Sequence, residues 1–234
     1  MKLTITDVKK NYEEKEVLKG VNYTFESGKI YGLLGRNGAG KTTFFNIVNK
    51  DIPADDGTIT LDDAPLGVDD IGYVVSTPVV PSFLTAREFL KFFIDINKDK
   101  MKEVQRPDYY FDMVGIGYDD RDKLLKDYSH GMKTKMQVII NVISNCKVLL
   151  LDEPLTALDV VAADEMKKIL KRQKQDKIMI FSTHIMELAL TLCDEIVLLK
   201  NGTVERLNIY DDNGVKLDDD TLRDTIISAL KEGA

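Results

Sequence analysis

Eight consecutive residues, Gly35-Arg36-Asn37-Gly38-Ala39-Gly40-Lys41-Thr42, fit the pattern G-x-x-x-x-G-K-[ST]. Glycines at these positions let the backbone wrap a chain of phosphates with its N–H groups pointing inward, in turns that side chains would obstruct. Lys41 is then the cation over the β- and γ-phosphates, and the Thr42 hydroxyl is a ligand for Mg²⁺. Gly35, Asn37, Gly38, Ala39, Gly40, Lys41, Thr42 and Thr43 are accordingly the candidate phosphate-binding residues. A second group lies downstream, where the apolar run Val148-Leu149-Leu150-Leu151 ends in Asp152-Glu153. Two carboxylates at a strand end can share metal-assisted hydrolysis, Asp152 on the metal side and Glu153 as general base toward a water. Taken alone, that pair is equally an ordinary strand end.

These groups need elements that hold them. Ile30 to Leu34 reads as a buried strand leading into the glycine-rich loop, and Thr43 to Val48 as a helix whose N-terminal dipole favours an anion. Leu3 to Val8 and Val17 to Phe25 read as strands broken by a polar loop from Lys9 to Glu16. Asp55-Asp56-Gly57 reads as a turn before a strand at Thr58 to Asp62, followed by a buried strand from Ile71 to Val75. From Thr85 to about Asn145 the pattern turns helical, with Phe89, Leu90, Phe93 and Ile94 at helix spacing, so residues 84–145 form a candidate insertion. Beyond it come the strand ending in Asp152, a helix from Asp159 to Lys174, a strand at Ile178 to Phe181, a short helix after His184 and a strand at Ile196 to Leu199. This alternation predicts an α/β fold on a largely parallel sheet. A last amphipathic helix, 219–232, starts at a run of acids and ends at Gly233; it would pack on its own core or on a partner.

The chain has 234 residues, long enough for one α/β core with an insertion and too short for two ordinary domains. No apolar run approaches the roughly 18 residues of a membrane span. The N-terminal residues lack the apolar stretch of a signal peptide, which predicts a cytoplasmic protein. Two distant cysteines, Cys146 and Cys193, match no metal-ligand spacing. A net charge of −7 argues against a broad nucleic-acid-binding face.

Up to this point a P-loop kinase or GTPase fits as well as any other nucleotide hydrolase. Tyr128-Ser129-His130-Gly131-Met132 resembles the signature sequence of ATP-binding cassette (ABC) proteins, commonly Leu-Ser-Gly-Gly-Gln. Together with the glycine-rich loop, Asp152-Glu153-Pro154-Leu155-Thr156-Ala157-Leu158-Asp159 and Ser182-Thr183-His184, it extends the resemblance from Tyr12 to about Gly202. The resemblance implies a P-loop ATPase of ABC type: a mainly parallel core sheet, an antiparallel β subdomain and an inserted helical subdomain. It also implies ATP and Mg²⁺ as ligands, and two such subunits, identical or related, closing head to tail on two ATP molecules.

On that pattern Ser129 and Gly131 meet the γ-phosphate of the opposite subunit's nucleotide, although a serine before a helix is also an ordinary N-cap. His184 matches the histidine that contacts the γ-phosphate and holds the geometry around Glu153. Asp159 matches the loop that crosses the dimer interface, and Tyr12 the aromatic residue that stacks on adenine, a surface tyrosine being the plainer reading. Ser76 stands where the family usually has a glutamine that reaches Mg²⁺ and the attacking water; its hydroxyl could reach the metal directly or through water. His130 replaces the first signature glycine and Met132 the terminal glutamine, with His130 expected to point to solvent.

Tyr128 to Lys133 looks most like the stand-alone ATPase subunits of bacterial export-type transporters. The resemblance therefore implies a separate transmembrane permease, a peripheral position on the cytoplasmic face of the membrane, and no nucleic-acid partner. The alternatives are a soluble ABC ATPase acting on a macromolecular complex, a small-molecule P-loop kinase, and a catalytically weak regulatory ATP-binding module.

Overall fold

A computed structural model describes residues 1–101, 103–210, 215 and 217–231. The expected last turn of the terminal helix, at Glu232 and Gly233, lies outside the described residues. The chain opens on a four-stranded antiparallel sheet of β1 (Lys2–Tyr12), β2 (Lys15–Glu26), β4 (Asp56–Leu61) and β5 (Ala64–Pro65), in the order β2-β1-β4-β5. β1 and β2 extend well past the expected polar loop. Lys9↔Lys19, Lys10↔Leu18, Asn11↔Glu16 and Tyr12↔Lys15 continue the ladder to a tight turn, with register shifts that accommodate the polar residues. β4 likewise begins at Asp56, inside the expected turn, because Lys9 pairs with Asp56 across the sheet.

The second sheet has six strands in the order β10-β9-β3-β8-β7-β6: β3 (Ile30–Leu34), β6 (Ile71–Val74), β7 (Val148–Asp152), β8 (Ile178–Ser182), β9 (Glu195–Lys200) and β10 (Thr203–Leu207). The five strands from β9 to β6 are parallel, and β10 adds an antiparallel edge. Every residue of β3, β7 and β8 is buried, the pattern of strands covered on both faces. β10, whose residues are largely exposed, carries no apolar run that the sequence reading could detect.

One face of this sheet, with α1 (Lys41–Val48), packs against the antiparallel sheet around Phe25, Tyr31, Phe44 and Phe45, where the rings of Phe25 and Tyr31 meet edge to face at 5.0 Å. The other face is covered by α2 (Ala86–Asn97), α3 (Pro107–Met113), α4 (His130–Ile143) and α5 (Val160–Gln173), whose buried residues form one cluster with β7 and β8. α2, α3 and α4 all lie between β6 and β7. A reciprocal cap starts α2: the Glu88 N–H donates to Thr85 Oγ1 at 3.1 Å, and the Thr85 N–H donates to Glu88 Oε2 at 2.9 Å. Arg87 and Arg121 both donate to Asp108, at 2.8 and 2.9 Å, tying α2 and the segment before α4 to α3. α6 (Met186–Leu192) and α7 (Asp219–Lys231) close the β9 end, with Leu222 and Ile226 of α7 fully buried against Ala189, Ile196 and Leu198. Among the described residues no helix is long and apolar enough to cross a membrane.

Candidate functional site

In a parallel sheet the carboxyl ends of the strands share one edge, and loops leaving adjacent strands meet there. β3, β8, β7 and β6 are neighbours in that order, and Leu33↔Ser182, Asp152↔Ser182 and Val74↔Leu151 are in register. The glycine-rich loop after β3, Ser182 and His184 at the end of β8, Asp152 and Glu153 at the end of β7, and Ser76 after β6 are therefore brought side by side. The glycine-rich loop, Ser76, Asp152 and Glu153 border a cavity of about 560 Å³ lined by Tyr12, Asn37, Gly38, Gly40, Lys41, Thr42, Thr43, Ser76, Asp152 and Glu153, together with Lys15 and Val17; Ser182 and His184 are not part of that lining and bond to its carboxylates, Asp152 and Glu153.

The loop has the geometry of an anion cradle. Gly38 and Gly40 hold φ of +80° and +104°, the left-handed region that glycine enters freely, and a Cβ at Gly40 would lie 2.9 Å from Val17. Gly35 approaches the backbone as closely, since its Cβ would stand 2.7 Å from the Leu199 carbonyl. Ala39 closes the loop with its N–H to the Arg36 carbonyl at 3.0 Å. Lys41 donates to the carbonyls of Gly35 at 2.6 Å and Arg36 at 3.2 Å, which aligns the ammonium with the loop. Burial pulls the Lys41 ammonium below its ordinary 10.5, against the opposing pull of Glu153 and Asp152.

Asp152 is 5% exposed, and burial pushes its carboxyl above the ordinary 3.8; the hydroxyl of Ser182, which donates to Asp152 Oδ1, works the other way. Glu153 follows in the left-handed region at φ +54°, a conformation disfavoured for a residue with a side chain and typical of functional sites. Its carboxylate is held on two sides, by His184 Nδ1 at 2.7 Å and by Thr156 Oγ1, which donates at 2.9 Å. The bond to Glu153 puts the proton on His184 Nδ1 and leaves Nε2 for a second partner.

The donors fit Mg²⁺ in a specific way. Thr42, Ser76 and Asp152, each with a side-chain oxygen, line one cavity, and no group of three or more His, Cys, Asp and Glu forms a metal cage among the described residues. Mg²⁺ is commonly held by one or two protein oxygens together with substrate phosphates and water, and a buried carboxylate beside Lys41 suits that arrangement.

Of the expected site residues, Gly35, Ala39, Ser129, Gly131, Asp159 and His184 are not part of the cavity lining. Ser129 is the N-cap of α4 and accepts from the Met132 N–H at 3.2 Å. Asp159 is the N-cap of α5 and accepts from the Ala162 N–H at 2.9 Å. Gly131 packs so closely on the loop after Glu153 that a Cβ would come within 2.9 Å of the Ala157 carbonyl. His130 corrects an expectation: its ring does not simply point to solvent but bonds through Nε2 to the Ser76 carbonyl at 2.9 Å. Sequence reasoning quoted Ser182 and Thr156 within longer motifs but gave them no site role, and it did not single out Gln137. Ser182 carried a signal, a hydroxyl directly after four buried apolar residues in the strand next to Asp152.

The chain has clear relatives. The family model described as ABC transporter matches residues 18–156. The human protein ATP-binding cassette sub-family A member 6 is 33% identical over 219 residues, covering 87% of this chain but only 13% of that protein's length. The uncharacterized ABC transporter ATP-binding protein YxlF of Bacillus subtilis (strain 168) is 32% identical over 206 residues, 86% of this chain and 69% of the relative. Among solved structures, one described as the ATP binding subunit of an ABC transporter superposes with a TM-score of 0.82 at 22% identity, covering 97% of this chain and 99% of the other. An ATP-binding cassette described as dimeric, in a post-hydrolysis state and bound to ADP and Pi, superposes with a TM-score of 0.75 at 21% identity, covering 88% and 99%. At these identities the structural likeness shows a shared fold.

Proposed function

Because the chain belongs to the ABC transporter family, we propose that it is the ATP-hydrolysing subunit of a transporter, that two such subunits close head to tail on ATP, and that closure drives a separate membrane permease, in the export direction. The observation that carries this reading is the shared cavity in which the Lys41 loop, Thr42, Asp152 and Glu153 converge, with Glu153 clamped by His184 and Thr156.

ATP is the substrate. The loop amides and Lys41 bind its phosphates, and Tyr12, 47% exposed at the rim of the cavity, offers a ring face to adenine. Thr42, Asp152 and Ser76 are the residues that would hold Mg²⁺, which supplies charge neutralisation to the phosphates when bound. Glu153 takes a proton from the attacking water, and its two clamps fix the carboxylate so that little reorganisation accompanies the transfer. Ser129 and Gly131, at the start of α4, serve the nucleotide bound by the other subunit, and Asp159 lies where the two subunits meet. The cap that Ser129 makes occupies the Met132 N–H and leaves the His130 and Gly131 amides at the helix end for an anion, so the capping and phosphate-binding readings are compatible.

Residues 84–145 and the loop from Ser76 to Phe83 form the surface that meets the permease. Val79 and Phe83 are each 77% exposed there, an apolar display that fits a protein partner. The subunit then sits peripherally on the cytoplasmic face of the membrane. ATP acts through its different affinity for open and closed pairs, which is the condition for ligand binding to shift a conformational equilibrium.

The test uses the Glu153→Gln variant, tagged and expressed in the native host. Its hydrolysis falls by about 100-fold or more while ATP binding persists, the scale of losing a general base. From gently solubilised membranes with ATP it brings down a multi-span protein in near-equal amount. Unchanged turnover would refute Glu153 as the base. Recovery only from the soluble fraction, with ribosomes or other large complexes, would favour the soluble ABC ATPase.

A further inference from the structure

The loop after β6 is fastened to α4 at three points. His130, the first residue of the helix, donates from Nε2 to the Ser76 carbonyl at 2.9 Å. Two turns further on, Gln137 is 5% exposed; with its amide oriented to match its neighbours, it donates an N–H to the Val75 carbonyl at 3.3 Å and accepts from the Val79 N–H at 3.1 Å. Residues 130 and 137 are seven apart and share one face of the helix, so the two side chains bracket Ser76 from both ends. Gln137 is a buried amide whose polar atoms are satisfied by this loop, and removing those partners would leave them unpaired. His130 differs: it is exposed, it could be solvated by water, and its bond to Ser76 is therefore a positional choice of this sequence.

That bond joins two functional surfaces. Ser76 lines the nucleotide cavity of its own subunit. Ser129, one residue before His130, is in the proposed reading the contact to the nucleotide of the other subunit. We propose that His130 is a positioning residue that locks the 75–79 loop to the head of α4, so that occupancy at one ATP site is transmitted to the other through a single rigid piece. The inference rests on the head-to-tail reading, because only then do Ser76 and Ser129 of one chain serve different sites. A helix terminus and a backbone carbonyl held 2.9 Å apart cannot move separately while the bond persists, and reciprocal coupling between two sites requires such an element with shared states.

His130→Phe keeps a ring of similar size and removes the donor. His130→Gln restores an N–H within reach of the same carbonyl. Two readings are taken on each. Hydrogen exchange of the Ser76, Thr77 and Val79 amides in the monomer reports the lock itself; it speeds up by about fivefold in His130→Phe, the scale of one net hydrogen bond, and returns in His130→Gln. ATPase rate against ATP concentration reports the coupling; the Hill coefficient falls from above one in the wild type toward one in His130→Phe and recovers in His130→Gln, while ATP affinity of the monomer stays constant. Unchanged exchange in His130→Phe would overturn the lock. Faster exchange with an unchanged Hill coefficient would overturn the coupling. A wild-type protein that neither dimerises nor shows cooperativity would overturn the head-to-tail reading and the coupling with it, whereas a cooperative wild type matched by an equally cooperative His130→Phe would overturn the inference alone.

Discussion

Asp152 is a carboxyl group almost fully removed from water, with Lys41 as the cation that acts on it and Ser182 as its hydrogen-bond donor. Burial, with the neighbouring Glu153 carboxylate acting the same way, outweighs both, so its folded-state pKa lies above the ordinary 3.8. The sign of the linkage follows. Below 3.8 the carboxyl is protonated in the folded and unfolded chains alike, and as pH rises through the raised folded value the unfolded chain ionises first, so the native state is progressively disfavoured. Asp152→Asn keeps the shape and the acceptor for Ser182 while removing the charge. The difference in urea midpoint between Asp152→Asn and wild type is expected to grow in the variant's favour as pH rises from 3.8 to neutrality; a difference independent of pH would contradict the account. The same residue shows what made the site legible in sequence. Taken alone, acids directly after four apolar residues are equally an ordinary strand end; the P-loop spacing upstream, which is just as local a pattern, is what marks them. His130 and Gln137 were not legible in this way, because their partners are backbone atoms of residues 75–79, more than 50 positions away in the chain, and no side-chain pattern marks a carbonyl.

At the scale of elements, α2 shows how local chemistry sets the boundaries that position the site. Thr85 and Glu88 satisfy each other's backbone N–H groups, and Thr85 also bridges to Leu124, so the start of α2 is pinned beside the segment that leads to α4. Thr85→Ala should lower stability by about 1 kcal/mol in urea unfolding and leave the monomer's ATP affinity unchanged. A loss of ATP affinity would mean that the cap shapes the nucleotide cavity directly. Elements with strong periodicity or unbroken apolar runs, such as β3, β7, β8 and α5, were readable to within a residue or two. The misread elements share a cause. β1 and β2 continue through Lys9, Lys10 and Asn11 because cross-strand pairing and ion pairs such as Lys10 with Asp55, at 2.7 Å, offset poor strand propensity, and neither is visible in one strand alone. β10 is an edge strand with little buried surface, so it carries no hydrophobic alternation to detect.

For the whole molecule, the proposed reading divides one catalytic apparatus between two subunits. The nucleotide cavity collects the ends of β3, β6 and β7, whereas Ser129 and Asp159 cap helices outside its lining. On the proposed reading a single chain carries the phosphate-binding and hydrolytic groups in the cavity and a second set of phosphate contacts outside its lining, as expected if two copies complete each other's sites. The most direct test mixes two inactive variants, Lys41→Ala, which loses the phosphate cradle, and Ser129→Arg, which blocks the opposing contact. Each alone is expected to hydrolyse ATP at a small fraction of the wild-type rate. Mixed, they form pairs with one site built from the intact loop of the Ser129→Arg chain and the intact Ser129 of the Lys41→Ala chain. The account predicts that ATPase activity reappears on mixing and rises with the concentration of either partner; a mixture no more active than its components would contradict it.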